Sequence, residues 1–296
     1  MDGYSDDLPL HSAMLSSRQN PLAKHIRQLH QAKGRREQAA FLLEGTHLLQ
    51  EALANGYSLD IICATPAWID RYADLWEQGV SLVHAPRCEI VSPDLLEVLA
   101  TTVHPDGVVA VASRQTRSSP SFDASLAIAL DTIQDPGNLG TIIRTAAAAG
   151  AEGLWLNRDS VDADHPKVLR ASAGQWFRLP IGVSDDLSAT LQQIKAQGTQ
   201  IVATLPRATQ TLWEADLTKP SLILLGNEGA GLSSDLAELA DVAVTIPQSR
   251  EVESLNVAIA AALLLYEARR QRTQLVEAPP QERQSELNDL QQSAQE

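Results

Sequence analysis

Three loops hold the side chains with the most chemical potential. In the first, Asn138, Gly140 and Arg144 form an N-x-G-x-x-x-R run within residues 131–150. In the second, Glu228 lies among Gly226, Asn227, Gly229 and Gly231. In the third, Ser254 and Asn256 follow Pro247 and open a long apolar run. A guanidinium at 144 is protonated at all ordinary pH values, so it suits the stabilisation of a developing negative charge and makes a poor base. Glycines at 226, 229 and 231 permit positive φ angles and a close approach of backbone to a ligand, with the carboxylate of Glu228 among them. Asn138 is placed to cap the helix that carries Arg144 on the face of Gly140 and Thr141, and Ser254 to cap the last helix. A capped core helix would explain Ser254. It gives no reason for Glu253, or for Asn256, whose carboxamide at the start of a buried helix needs hydrogen-bond partners.

Each loop closes an apolar run that reads as a buried strand: SLAIALD (125–131), SLILLGN (221–227) and DVAVTIP (241–247), with GLWLN (153–157) and TQIVATL (199–205) as two more. Helical stretches at 139–149, 165–173, 185–197 and 254–272 alternate with them. Such alternation predicts a mostly parallel sheet with helices on both faces. Ligands of such sheets sit beyond the carboxyl ends of the strands, where these loops fall. The last helix is apolar on most of its surface through Leu255, Val257, Ala258, Ala261, Ala262, Leu264 and Leu265, so it is expected to be buried or to pack on a partner subunit. Upstream, FLLEG (41–45), LDIICA (59–64), VSLVH (80–84) and GVVAVAS (107–113) read as strands. HLLQEALANG (47–56), PAWIDRYADLWEQG (66–79) and SPDLLEVLATT (92–102) read as the helices between them. The expected organisation is a disordered segment over 1–17, a smaller α/β domain over 18–113, a polar linker over 114–124, a second domain over 125–272 and a disordered acidic tail over 273–296.

A formal net charge of −14 argues at first against a polyanionic partner, because phosphate contacts need lysine and arginine. The charge is unevenly spread. Residues 277–296 hold five acids and one base, and residues 1–10 hold three acids and no base. Lys24, Arg27, Lys33, Arg35 and Arg36, with His25 and His30, fall within 13 residues and are the candidate RNA contacts, although a basic helix is also what a solvated face looks like. Cys63 and Cys88 have no metal-ligand spacing, no metal is implied, and a reduced cytoplasmic protein is expected. Residues 1–17 lack the apolar stretch of a signal peptide, and no run approaches the ~20 apolar residues of a membrane span.

Two nucleotide-binding motifs compete for the second loop and fail. Its spacing is G-x-x-G-x-G rather than G-x-G-x-x-G, and no βαβ unit with a ribose-binding acid follows it. A phosphate-binding G-x-x-x-x-G-K-[ST] loop is absent from the sequence.

Taken together, the three loops resemble the three motifs of the SpoU (TrmH) class of SPOUT methyltransferases, closely over residues 125–270. Residues 18–113 are similar in size and order of elements to the substrate-binding domain of that family, itself like a small RNA-binding ribosomal protein. PKVLRASAGQWFRLPI (166–181) looks like the stretch between the first and second motifs of rRNA-directed members. The resemblance implies an α/β fold whose C-terminal, mostly parallel sheet carries a deep trefoil knot. It implies transfer of a methyl group from S-adenosylmethionine to a ribose 2′-hydroxyl of RNA, by a homodimer joined through the final helix and the knot. Its catalytic set falls on Asn138, Arg144, Glu228, Ser254 and Asn256, and its cofactor residues on Thr204, Leu205, Leu225, Gly226, Asn227, Gly229, Ile246, Pro247 and Leu255. The sequence departs from the family's I-P-M-x-G third motif: Gln248 and Arg250 replace Met and Gly, which bears on substrate fit more than on reaction type.

The added N-terminal domain favours 23S rRNA as the target. A tRNA ribose methyltransferase and a non-catalytic, ribosome-associated RNA-binding protein are the alternatives, the second weakened by the intact set of five motif residues. In the expected chemistry Arg144 stabilises the developing alkoxide and the neighbouring phosphate, Glu228 orients Arg144 or Asn138, and Ser254 and Asn256 position the nucleotide.

Overall fold

The computed structural model describes residues 14–114, 119–249 and 251–277, the last three by backbone only. They form two compact units: residues up to 116 together with 162–177, and residues 117–161 with those from 178 onward. No helix among the described residues is long and apolar enough to cross a membrane.

The first unit holds β1 (Ala40–Glu44), β2 (Leu59–Ala64), β3 (Arg87–Ile90) and β4 (Val108–Ser113), ordered β1-β4-β2-β3. β4 runs antiparallel to β1 and β2, while β3 lies parallel to β2. Asn20 caps the first helix, Pro21–Gln28, whose Leu22 and Ile26 are buried with Leu42 and Val111 in the core. Two expectations need correction. The strand expected at 80–84 does not exist: the helix Ala73–Val80 runs into it, and Val83 is 96% exposed, so this apolar run buries too little to pay for a strand. The helix expected over 66–79 is two, Pro66–Arg71 and Ala73–Val80, broken at Tyr72. Leu15 bridges Val91, accepting from Ser92 N and donating to Ile90 O at 2.8 Å each, so residues 14–17 are part of the fold rather than disordered. The rest of the expected N-terminal disorder, 1–13, lies outside the described residues.

The stretch 162–177 joins this unit although its neighbours in sequence belong to the other. Arg170 reaches the buried carboxylate of Glu44 at 2.9 Å, and Trp176 packs on Phe41 and Tyr57 at ring-centroid separations of 5.0 and 5.8 Å.

The second unit is built on β5 (Leu126–Leu130), β6 (Gly153–Asn157), β7 (Ile181–Ser184), β8 (Gln200–Thr204), β9 (Gln210–Thr211), β10 (Ser221–Leu225) and β11 (Val242–Thr245). Every pairing is parallel, in the order β7-β6-β5-β10-β8-β11-β9. β5 and β10 are buried along their whole length, as continuous apolar strands covered on both faces must be. From β5 the chain winds one way through β6 and β7, and the later strands fill the other side, so the order reverses between β5 and β10. That reversal opens a crevice at the carboxyl edge.

The expected linker over 114–124 is partly structured: Phe122 stacks on Trp155 at 5.3 Å and Ala124 is buried. Residues 115–118 of it lie outside the described residues. The last helix spans Val257–Glu277, starting three residues later and ending five later than the sequence suggests. It packs against the helix Pro136–Ala149, whose final turn accepts a 2.6 Å hydrogen bond from Arg269 at Ala148 O. The remainder of the expected tail, 278–296, lies outside the described residues.

Candidate active site

β5 and β10 end flush, Leu130 opposite Leu225, and Asp131 N donates to Leu225 O at 2.9 Å. The first and second loops therefore leave the sheet side by side. The helix after the first loop is capped by Asp135, whose Oδ1 accepts from Asn138 N at 2.9 Å, with Pro136 next. Asn138 is therefore not the cap that the sequence suggested. Proline lacks an N–H and fixes φ, so it takes the first helical position and moves the cap to the residue before it. The last helix shows the same displacement: Asn256, not Ser254, caps it, with Oδ1 accepting from Ala258 N at 2.9 Å.

Both asparagines then spend the rest of their carboxamides on each other and on Glu228. Asn256 Nδ2 donates to Asn138 Oδ1 at 2.9 Å, and Asn138 Nδ2 donates to Glu228 Oε1 at 3.1 Å. Glu228 also accepts from the backbone N–H groups of Gln134 and Asp135, both at 3.2 Å. Burial alone would raise its pKa; the bond from Asn138 and the backbone donors outweigh burial and lower it. Three loops are thus joined at one carboxylate held ionised.

Two cavities open beside this chain of bonds. One, of about 530 Å³, is bounded by Gln134, Asp135, Asn138, Glu228, Ser254 and Asn256. The other, of about 270 Å³, lies at the ends of β8, β10 and β11. They share Asn227, Glu228, Ser254, Leu255 and Val257 as common wall, which makes two adjoining subsites.

The SpoU rRNA Methylase family matches residues 125–266, and the MRM3-like substrate binding domain matches residues 20–110. An uncharacterized tRNA/rRNA methyltransferase of Synechocystis sp. is 49% identical over 260 residues, covering 88% of this chain and 94% of that one. The chain belongs to the SpoU rRNA methylase family. The 23S rRNA (guanosine(2553)-2′-O)-methyltransferase RlmP of Bacillus subtilis is 33% identical over 256 residues, 86% of this chain and 98% of its own. An AdoMet-bound rRNA methyltransferase from Sinorhizobium meliloti superposes with a TM-score of 0.76 at 33% identity, over 87% of this SpoU methylase and 97% of the other chain.

The methyl donor of a SpoU methylase is S-adenosylmethionine, and the smaller cavity has the character to hold it. Its wall is largely aliphatic, from Leu205, Leu225, Ile246 and Leu255, with a few polar groups, as ligand sites usually are. The Thr204 hydroxyl is buried in this wall and has no hydrogen-bond partner among the described residues, which fits a wall that meets a polar cofactor. At Gly226 a Cβ would meet the backbone of Gly231 and Leu232 at 2.2 Å, so only glycine lets the second loop fold this closely. Asn227 and Gly229 also border the cavity. Pro247 does not: it lines an apolar groove with Trp213, Ile259 and Tyr266.

Ser254 borders both cavities of the SpoU site. Arg144 is exposed and borders neither. Arg250 lies outside the described residues, while Gln248 lines the smaller cavity. Of the candidate RNA contacts in the first unit, Lys24, Arg27, Lys33 and Arg36 are exposed. Arg35 is a correction: it is 1% exposed, with Nη2 on Asp162 at 2.6 Å and Nε on Asp164 at 3.2 Å, and no phosphate can reach it. Its Nη1 also donates to Leu29 O and His30 O, but the carboxylates that pair with it lie more than 120 residues away, and no local pattern marks them. The capping role of Asp135 was readable in the sequence from Asp followed by Pro.

Proposed function

We propose that this SpoU methylase transfers the methyl group of S-adenosylmethionine to a ribose 2′-hydroxyl of 23S rRNA, as a cytoplasmic homodimer. The observation that carries the reading is the Asn256–Asn138–Glu228 chain, which joins the three loops beside two adjoining cavities. The likeness to RlmP, a 23S rRNA 2′-O-methyltransferase, supports the target.

When bound, S-adenosylmethionine supplies a methyl group already activated on a sulfonium. What remains for the protein is the ribose hydroxyl, which must lose its proton as the new O–CH₃ bond forms. The larger, polar cavity is the place for the nucleotide, with Asn138, Ser254 and Asn256 to hold it. Arg144, permanently protonated, stabilises the developing alkoxide and the adjacent phosphate, and an RNA phosphate oxygen or a water takes the proton. An exposed arginine outside both cavities of its own chain does this only when RNA or a second chain closes over it. Lys24, Arg27, Lys33 and Arg36 steer the RNA through its phosphates.

The dimer reading is supported by the apolar groove of the last helix, where Trp213, Val252, Ile259, Leu263 and Tyr266 are each more than 40% exposed. The groove shares Ile246 and Leu255 with the smaller cavity, so a partner seated on it would touch the cofactor loops. The deep trefoil knot belongs to the same reading, tied by the second and third loops.

The test is transfer of radiolabelled methyl to total RNA from cells lacking this protein, fractionated into 23S, 16S and tRNA. Label in 23S that disappears with Arg144→Ala supports the proposal. Label confined to tRNA overturns the target, and no label on RNA or ribosomal particles overturns the activity.

A further inference from the structure

Thr132 has φ +58°, a left-handed conformation that is strained for a β-branched residue. It sits at the turn between β5 and the Asp135 cap. Four hydrogen bonds from one side chain, at the end of the neighbouring strand β6, surround this turn. Asn157 Oδ1 accepts from Thr132 N at 2.8 Å and from Ser160 Oγ at 2.6 Å. Asn157 Nδ2 donates to Thr132 Oγ1 at 2.8 Å and to Asp131 Oδ1 at 3.0 Å. Ser160 Oγ in turn accepts from Ile133 N at 3.1 Å. The backbone donors at 132 and 133, which the turn takes out of the sheet, are therefore satisfied by the β6 end.

On its other side the turn faces the second loop. Thr132 O accepts from Asn227 Nδ2 at 2.7 Å, while Asn227 Oδ1 accepts from Gly229 N and Ala230 N at 2.9 Å each. The next two residues of the turn, Gln134 and Asp135, give their N–H groups to Glu228. The chain of bonds runs without a gap from β6, through the strained turn, to the loop that carries Glu228.

We propose that Asn157, which lies outside all three loops, is a positioning residue for methyl transfer: it holds Thr132 left-handed and so keeps the Gln134 and Asp135 donors on Glu228. The proposal rests on the reading of this site as the methyl-transfer centre. Asn157 borders neither cavity, so its effect on the reaction passes through the turn. Aspartate is no substitute, because it would lose both amide donors and set a second carboxylate against buried Asp131.

The experiment is a cycle of wild type, Asn157→Ala, Thr132→Gly and the double variant, assayed for single-turnover methyl transfer to RNA. S-adenosylhomocysteine affinity by calorimetry and the melting midpoint are measured on the same samples. Asn157→Ala is expected to slow transfer by roughly 10- to 100-fold, as a small misplacement of a catalytic group does, with S-adenosylhomocysteine affinity within about twofold of wild type. Glycine adopts the left-handed conformation without strain, so Thr132→Gly in the Asn157→Ala background is expected to restore most of the lost rate. Full activity of Asn157→Ala would overturn the proposal. So would parallel loss of rate and S-adenosylhomocysteine binding, which marks general damage, or a double variant as slow as Asn157→Ala. A wild type that binds S-adenosylhomocysteine but methylates no RNA would overturn the methyl-transfer reading itself, and the proposal with it.

Discussion

Asn256 Nδ2 donates to Asn138 Oδ1 at 2.9 Å, joining the starts of two helices through residues 118 apart in sequence. Each asparagine does two jobs. Asn256 caps its helix while reaching Asn138, and Asn138 passes the contact to Glu228. Asn256→Asp separates these jobs, because aspartate caps as well as asparagine but cannot donate to Asn138. The expected outcome is a melting midpoint lowered by no more than one hydrogen bond accounts for, with the helix kept, and methyl transfer slowed by roughly 10- to 100-fold, about 1.4–2.7 kcal/mol of barrier. Calorimetric melting and single-turnover label transfer check the two halves separately.

Thr204→Val replaces a buried hydroxyl that has no partner among the described residues with a methyl group of the same shape. Without ligand the change should leave stability unaltered or slightly raised. With S-adenosylhomocysteine as probe, affinity should fall about 3- to 10-fold, the worth of one ordinary hydrogen bond. Equal affinities by isothermal titration would mean that the hydroxyl does not face the cofactor.

Gly226→Ala puts a methyl group against the backbone at Gly231, where no flexible side chain can give way. The second loop must open, and cofactor binding should be lost while the far-ultraviolet circular dichroism stays that of the wild type. Retained S-adenosylhomocysteine binding in titration would show that the loop tolerates the shift.

Glu228 has a pKa held below the ordinary carboxylate value, so its ionised form stabilises the folded state. The contribution is fully present above the unfolded value of about 4.5 and fades only as pH falls through the lower, folded value. Glu228→Gln should therefore melt below wild type by a constant margin from pH 7 to about pH 5, with the margin closing at lower pH. A margin already shrinking at pH 6 would mean that the carboxylate is not held in this way.

Arg35 and Arg36 are adjacent and should behave oppositely. Arg35→Ala takes the arginine from Asp162 and one of two from Asp164, which keeps Arg114, and should cost about 1–3 kcal/mol in urea unfolding through the polar groups left without their partner. Arg36→Ala should leave stability intact, weaken RNA binding and flatten its salt dependence. Filter binding at several salt concentrations measures the second effect.

The sequence by itself determined the parallel sheet of the second unit, because an apolar run able to be buried on both faces, such as LAIAL or LILL, has few other uses. It also determined the three loops, since glycine, asparagine and glutamate at strand ends have few structural excuses, while Leu205, Leu225, Ile246 and Leu255 were named through the resemblance of those loops to the family's motifs. It marked the stretch 166–181 by resemblance without revealing that residues 162–177 belong to the N-terminal unit. Tertiary structure decided the rest. Whether a basic residue is a phosphate contact or a buried clasp depends on carboxylates more than 120 residues away, as Arg35 shows. Which residue caps a helix depends on where the chain enters, so Asp135 and Asn256 took the roles that local spacing gave to Asn138 and Ser254. Asn157 was legible only as the last residue of a strand. Its hold on Thr132 exists because β5 and β6 are paired in register, and pairing between strands is a long-range contact that no local pattern encodes.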